Sequence, residues 1–209
     1  MDRIKHLYYI NLDKRKDRNN HVIDKVLPVL KFAPEKTTRI SAVDTTGLST
    51  PHLRATGCTL SHLKIYKDAI NNNYDHFMVI EDDFKPIVNS LEFKIRMEKL
   101  FDMYPGFDVC QIAFNDRYGT TEKIDDMFMR GKNIQTTCGY VICLDFCKKL
   151  IPVFEDSVKQ LENGEPGQKY ACDQVWKQFQ HFDTWMLTRC GVQLNDYSDI
   201  EGRKVSYGC

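Results

Sequence analysis

Short apolar runs alternate with amphipathic stretches along the whole chain, and this alternation leaves few architectures open. The clearest run is Phe77-Met78-Val79-Ile80, unbroken by any polar residue, as expected of a strand buried on both faces of a parallel sheet. Leu7–Ile10, Arg39–Val43, Val109–Phe114, Tyr140–Leu144 and Thr184–Thr188 read as further strands. Between them lie helical patterns. In residues 58–73, Leu60, Leu63, Tyr66 and Ile70 fall three or four apart on one stripe. Asn89 followed by Glu92 has the spacing of a capping box, ahead of Phe93, Met97, Leu100 and Tyr104. Helices are also expected through Val22, Val26 and Leu30, around Phe146, Leu150 and Val153, and over 171–180. Residues 162–167 read as a loop, and the chain from Asn195 onward as a polar, irregular tail. Strands and helices in this order predict an α/β fold around a mostly parallel central sheet. With 209 residues, 42% of them hydrophobic, the chain fits one domain over 1–209.

Several classes are disfavoured. Net charge is zero, so no nucleic-acid partner or anionic membrane surface is expected. No apolar run approaches the roughly 20 residues of a membrane span. No signal-peptide core and no Asn-x-Ser/Thr acceptor is found, which gives an expectation of a cytoplasmic or viral setting. The eight cysteines then read as thiols rather than disulfides. Cys138, Cys143 and Cys147 lack zinc-knuckle spacing and read as small buried hydrophobes. The dinucleotide glycine fingerprint and the P-loop are both absent, which disfavours NAD enzymes and P-loop ATPases.

Three segments carry candidate chemistry. Glu81, Asp82 and Asp83 directly follow the strand 77–80, where ligands of open α/β sheets bind. Crowded carboxylates repel one another unless a cation sits among them, and carboxylates with phosphate oxygens are a preferred way to hold Mg²⁺ or Mn²⁺. In an extended chain Glu81 and Asp83 would share one face and Asp82 the other. A solvated acidic turn is the plainer alternative. The second segment, Arg54 to His62, includes Gly57 and Ser61. It reads as a helix N-terminus whose N–H groups could meet an anion, or as an ordinary cap with Thr56 or Thr59 as the N-cap residue. The third is the exit of the first strand, Asn11 and Leu12 followed by the charged run Asp13 to Arg18. Arg15 or Arg18 could reach phosphates there, although most of these charges suit a solvated loop. Asp44, at the end of the second strand, joins this candidate binding set, and so does Asp199 in the tail. Asp173 stands at the start of a helix, where the dipole alone would favour it.

The ordered set Tyr9-Ile10-Asn11-Leu12-Asp13 with Arg15 to Arg18, Gly57-Cys58-Thr59-Leu60-Ser61-His62, Val79-Ile80-Glu81-Asp82-Asp83, Gly139-Tyr140, Asp173-Gln174 and Tyr197-Ser198-Asp199 resembles glycosyltransferase family 25. The resemblance spans residues 4–200. It implies a GT-A-like, nucleotide-sugar-binding single domain, with Glu81, Asp82 and Asp83 standing for the metal-binding acidic motif. It also implies a UDP-sugar donor (UDP-galactose or UDP-glucose), inversion at the anomeric carbon, and as acceptor either a glycan or hydroxylysine of a collagen-like chain. The C-terminal Tyr207-Gly208-Cys209 is not a retention sequence, so a bacterial or viral member, or an excised domain, is expected. Inversion needs a base on the acceptor side. Asp173 is the first choice and Asp82 the competitor. The donor would be bound by Asn11, Leu12, Arg15, Arg18, Asp44, Arg54, Gly57, Ser61, His62 and Asp199. A metal-dependent phosphoryl-transfer enzyme and an inactive binding module are the remaining readings.

Overall fold

The computed structural model describes residues 2–182 and 184–205. The strands are β1 His6–Asn11, β2 Thr37–Ser41, β3 His76–Glu81, β4 Phe84–Pro86, β5 Val109–Asn115, β6 Thr120–Lys123, β7 Met129–Lys132, β8 Gln135–Cys143, β9 Trp185–Leu187, β10 Gly191–Gln193, β11 Tyr197–Ser198 and β12 Arg203–Lys204. The helices are α1 Lys16–His21, α2 Leu27–Leu30, α3 Pro51–Asn71, α4 Ser90–Met103, α5 Leu144–Glu162, α6 Gly167–Tyr170 and α7 Cys172–Val175. A π-helical turn over Val22–Val26 joins α1 to α2.

The main sheet has the order β2-β1-β3-β8-β5-β9-β7-β6. β1 is parallel to both β2 and β3, and β5 is parallel to β9. β8 enters antiparallel between β3 and β5, and β7 antiparallel between β9 and β6. Most strands therefore point one way, and the α/β reading with a mostly parallel sheet holds. The expected strand at 140–144 is longer, begins at Gln135, and gives Leu144 to the following helix. The hairpin β6–β7 has no counterpart in the sequence reading because β6 is exposed along its length and carries no apolar alternation.

Both faces of the sheet are covered, which explains the unbroken apolar runs. Tyr8, Phe77, Val79 and Tyr140 pack beneath α3 and α5 with Leu63, Tyr66, Leu150 and Phe154. Met78, Ile80, Cys110 and Val141 meet the α1–α2 segment and α4 through Val22, Val26, Phe93 and Met97. Asn89 caps α4 as expected, its side chain accepting from the Leu91 and Glu92 N–H groups at 3.0 Å. No described helix is long and apolar enough to cross a membrane. None of the seven described cysteines is in a disulfide, and Cys209 lies outside the described residues.

α3 corrects one expectation. It begins at Pro51 with Thr50 as N-cap, so Gly57 sits inside the helix and neither Thr56 nor Thr59 caps it. Its backbone N–H belongs to the helix and is not offered to an anion. Glycine is required there for another reason. A Cβ at 57 would collide with the Thr45 hydroxyl and lie 2.5 Å from the Val43 carbonyl oxygen. Glycine thus lets the 43–46 loop lie against the helix.

Candidate functional site

The carboxyl ends of β1 and β3 open into a cavity lined by Asn11, Leu12, Arg18, Arg54, Gly57 and Ser61, together with Glu81, Asp82, Asp83 and Asp199. A second cavity beside it is lined by Thr136, Thr137, Cys172 and Asp173. Cys58, Glu81, Gln193 and Ile200 belong to both walls. Eleven predicted site residues therefore gather at these two connected hollows.

The acidic triplet does not follow strand alternation. β3 ends at Glu81, and Asp82 and Asp83 form a turn before β4. The chain leaves its extended path there, and all three carboxylates face one cavity instead of splitting between two faces. Each has different partners. Glu81 accepts from the Thr137 hydroxyl at 2.6 Å and lies 3.4 Å from His62 Nε2. Burial alone would raise its pKa, but the His62 and Thr137 contacts hold it below the ordinary carboxylate value. Asp82 accepts from Asn11 Nδ2 at 2.7 Å. Burial, then the charge of Asp83, push it up to about 7. Asp83 accepts from Gln193 Nε2 at 2.9 Å and from the Cys138 thiol. Burial and the charge of Glu81 raise it to about 6. Two carboxylates crowded this way are uncomfortable as anions until positive charge arrives.

Positive charge already borders the cavity. Arg18 is 5% exposed, and its nearest carboxylate is Asp196, at 3.5 Å from Nη2. Its Nε and Nη1 are buried without a hydrogen-bond partner. Buried guanidinium N–H groups left unpaired are costly.

The other predicted residues take supporting places. Asn11 is locked: Nδ2 donates to Asp82, and Oδ1 accepts from Arg39 Nε at 3.0 Å and Nη2 at 2.7 Å. Arg15 donates to Asp199 Oδ2 at 2.6 Å and to Asp17 at 2.8 Å. Arg54 Nε donates to the Ile200 carbonyl at 2.5 Å. With the Arg18–Asp196 pair, these contacts strap residues 196–200 over the cavity. Ser61 accepts from the Val43 N–H at 2.9 Å and fixes the neighbouring loop. Asp44 is half-exposed on the rim, held by Thr46 and Lys14, which keep it near 2, and does not line the cavity. His62 is fully buried behind the wall: Nδ1 meets the Tyr140 hydroxyl at 2.8 Å, and Nε2 faces Glu81.

Asp173 occupies the second cavity. Its Oδ2 accepts the Thr136 N–H at 3.2 Å, and Oδ1 accepts from Gln174 Nε2 at 3.1 Å. Burial raises its pKa despite those bonds. Thr136 adopts φ +73°, a rare conformation for a β-branched residue that marks local strain. Its hydroxyl meets Gln193 Oε1 at 3.1 Å, so Gln193 links Thr136 to Asp83.

Thr137, Gln193, Asp196 and Cys172 are not singled out by sequence reasoning, and Tyr140 and Cys58 enter it only within the segments that carry the family resemblance. A polar residue at one position of a strand or tail gives no periodic signal, and only the fold brings these together.

The model of the family described as "Glycosyltransferase family 25 (LPS biosynthesis protein)" matches residues 53–175, more than half of the chain. Human procollagen galactosyltransferase 2 is 29% identical over 178 residues, covering 69% of this chain. The chain spans 27% of that relative's length. A glycosyltransferase involved in glycosylation of the major capsid of PBCV-1 has a similar fold, with TM-score 0.54, 8% identity and coverage of 93% of this chain and 94% of that one. UDP-glucose pyrophosphorylase complexed with UDP-glucose gives TM-score 0.50 at 11% identity, covering 95% and 94%. With the family model matched across the α3–β3 wall and on through α7, the chain belongs to glycosyltransferase family 25.

Proposed function

We propose that the chain transfers a hexose, galactose or glucose, from a UDP-sugar to an acceptor hydroxyl with inversion, using a divalent cation. The observation that carries this reading is the pairing, in one cavity, of the Arg18 guanidinium and its two orphaned N–H groups with Asp82 and Asp83. A diphosphate fits between them: it would accept from Arg18 and share a cation with the carboxylates. Mn²⁺ or Mg²⁺ held by Asp83 with Glu81 and Asp82 would supply Lewis-acid stabilisation of the departing diphosphate.

The chain's own groups divide the remaining work. Arg18 binds the diphosphate, and Asn11 orients Asp82. Residues 196–200, tethered by Arg15, Arg18 and Arg54, cover the donor and exclude water. Asp173 faces the adjoining cavity across the Glu81 wall, on the side open to an acceptor. Its raised pKa suits a carboxylate that takes the acceptor hydroxyl's proton as the sugar bond forms. A collagen-like chain is the leading acceptor, by similarity to the human relative's name, and a glycan is the other. The test is a thermal-shift screen of UDP-sugars with and without Mn²⁺, since a ligand of the native state raises its melting point. Cation-dependent stabilisation by UDP-galactose or UDP-glucose is expected. No response to any UDP-sugar refutes the donor assignment.

A further inference from the structure

Among the described residues, Cys58, His62 and Cys172 form a group of three whose ligand atoms all lie within 4.8 Å of one another. They come from separate elements. Cys58 and His62 are four apart on α3 and so share a face, and Cys172 opens α7. We propose that these three bind a thiophilic divalent cation, zinc, whose fourth position is left to solvent.

Zinc bonds of about 2.3 Å to sulfur put two thiolate ligands about 3.8 Å apart, and Cys58 Sγ and Cys172 Sγ are 3.6 Å apart. The surroundings suit ligands. The Tyr140 hydroxyl, itself 2.9 Å from that of Tyr66, holds His62 Nδ1 at 2.8 Å. Once Nε2 has given up its proton on metal binding, Nδ1 can donate to the Tyr140 hydroxyl and keep the ring aimed. Cys58 lines both cavities and Cys172 the second, so a cation has a way in. On binding, the two thiols release their protons to solvent and become thiolate ligands. The bound ion would join α3 to α7, and so fix the helix that carries Asp173.

Thiolate and imidazole ligands select zinc or cobalt, whereas the oxygen-only acidic turn suits Mn²⁺ or Mg²⁺. This separates the two sites experimentally and makes the test independent of sugar transfer. Full-length protein, stripped with chelator under reducing conditions, is titrated with Co²⁺ and then Zn²⁺. One equivalent of Co²⁺ should give a thiolate charge-transfer band and tetrahedral d–d bands, both bleached by zinc. Cys58→Ser and Cys172→Ser should each weaken zinc binding by at least about a hundredfold, while Asp83→Asn keeps the cobalt spectrum. Circular dichroism confirms that the variants fold. Absence of the thiolate band in the wild type, its persistence in Cys172→Ser, or its loss in Asp83→Asn overturns the proposal.

Discussion

Replacing Asp82 by asparagine should stabilise the metal-free protein, and increasingly so as the pH rises. Asp82 is raised to about 7 from an ordinary value near 3.8, by burial and by the charge of Asp83. A carboxyl raised in the folded state holds its proton there after the unfolded chain has lost it. Its contribution to stability is complete below about 3.8 and is lost as the pH climbs through about 7. Between pH 5 and pH 8, two units of that window remain, so Asp82 alone lowers wild-type stability by at most about 2.7 kcal/mol. The amide of the Asp82→Asn variant does not titrate, and its oxygen can still accept from Asn11 Nδ2. At about 2–4 °C per kcal/mol for a chain of this size, the melting-point advantage of Asp82→Asn should widen by up to about 5–10 °C from pH 5 to pH 8. The assay is differential scanning fluorimetry of both proteins in EDTA across that range. Mn²⁺ with UDP should stabilise the wild type at pH 8 more than the variant, because the cation relieves the repulsion. A constant offset between the two melting curves at every pH would show that Asp82 is not a strained anion and would remove the physical basis for a cation at the turn.

Three further outcomes are expected. Asp173→Asn should lower kcat by about 10²–10⁴-fold while leaving the calorimetric Kd for UDP unchanged; an unaltered kcat would pass the role of base to Asp82. Arg18→Met should weaken UDP binding by about 1.5–3 kcal/mol, the worth of hydrogen bonds to a charged group, while the protein still melts cooperatively; unchanged affinity by calorimetry would place the diphosphate elsewhere. Gly57→Ala should lower stability in urea by about 1–3 kcal/mol, typical of overpacking, because its methyl group meets Val43 O and the Thr45 hydroxyl; an unchanged midpoint would mean that the 43–46 loop gives way freely.

The parts legible in the sequence are those that leave a repeating signal. Phe77-Met78-Val79-Ile80 marks β3, and the stripe Leu60, Leu63, Tyr66 and Ile70 marks α3. Three successive carboxylates after a buried strand locate the cavity before any coordinates. Gly57 misleads because glycine reads as punctuation, and the helix then seems to start well after its true first residue. The true cap, Thr50 before Pro51, carries the expected chemistry but lies far ahead of the apolar stripe. The tail looks irregular because its order comes from Arg15, Arg18 and Arg54, all distant in sequence. Gln193 and Thr137 matter only through partners on other strands.

Several local rules fail at the two cavities, although Trp176 Nε1 is also buried without a partner and Lys31, Asn73 and Asn133 also hold a positive φ elsewhere. Arg18 keeps two donors buried and unpaired, Asp82 and Asp83 stand with raised pKa values, and Thr136 holds a positive φ. Each costs stability by itself, and all but Thr136 line the first cavity, while Thr136 lines the adjoining one. Most of the core has no such costs. Phe77, Val79, Tyr66 and Phe154 interlock as aromatic and branched side chains with no polar group left over except the Tyr66 hydroxyl, which is paired with Tyr140. Proteins usually confine such conflicts to places where a ligand resolves them. A diphosphate would pair Arg18, and its cation would neutralise the acidic turn, so one donor complex would relieve both electrostatic costs at once. Thr136 is different: its strain aims an N–H at Asp173 and its hydroxyl at Gln193, a fixed cost that keeps the proposed base positioned whether or not donor is bound.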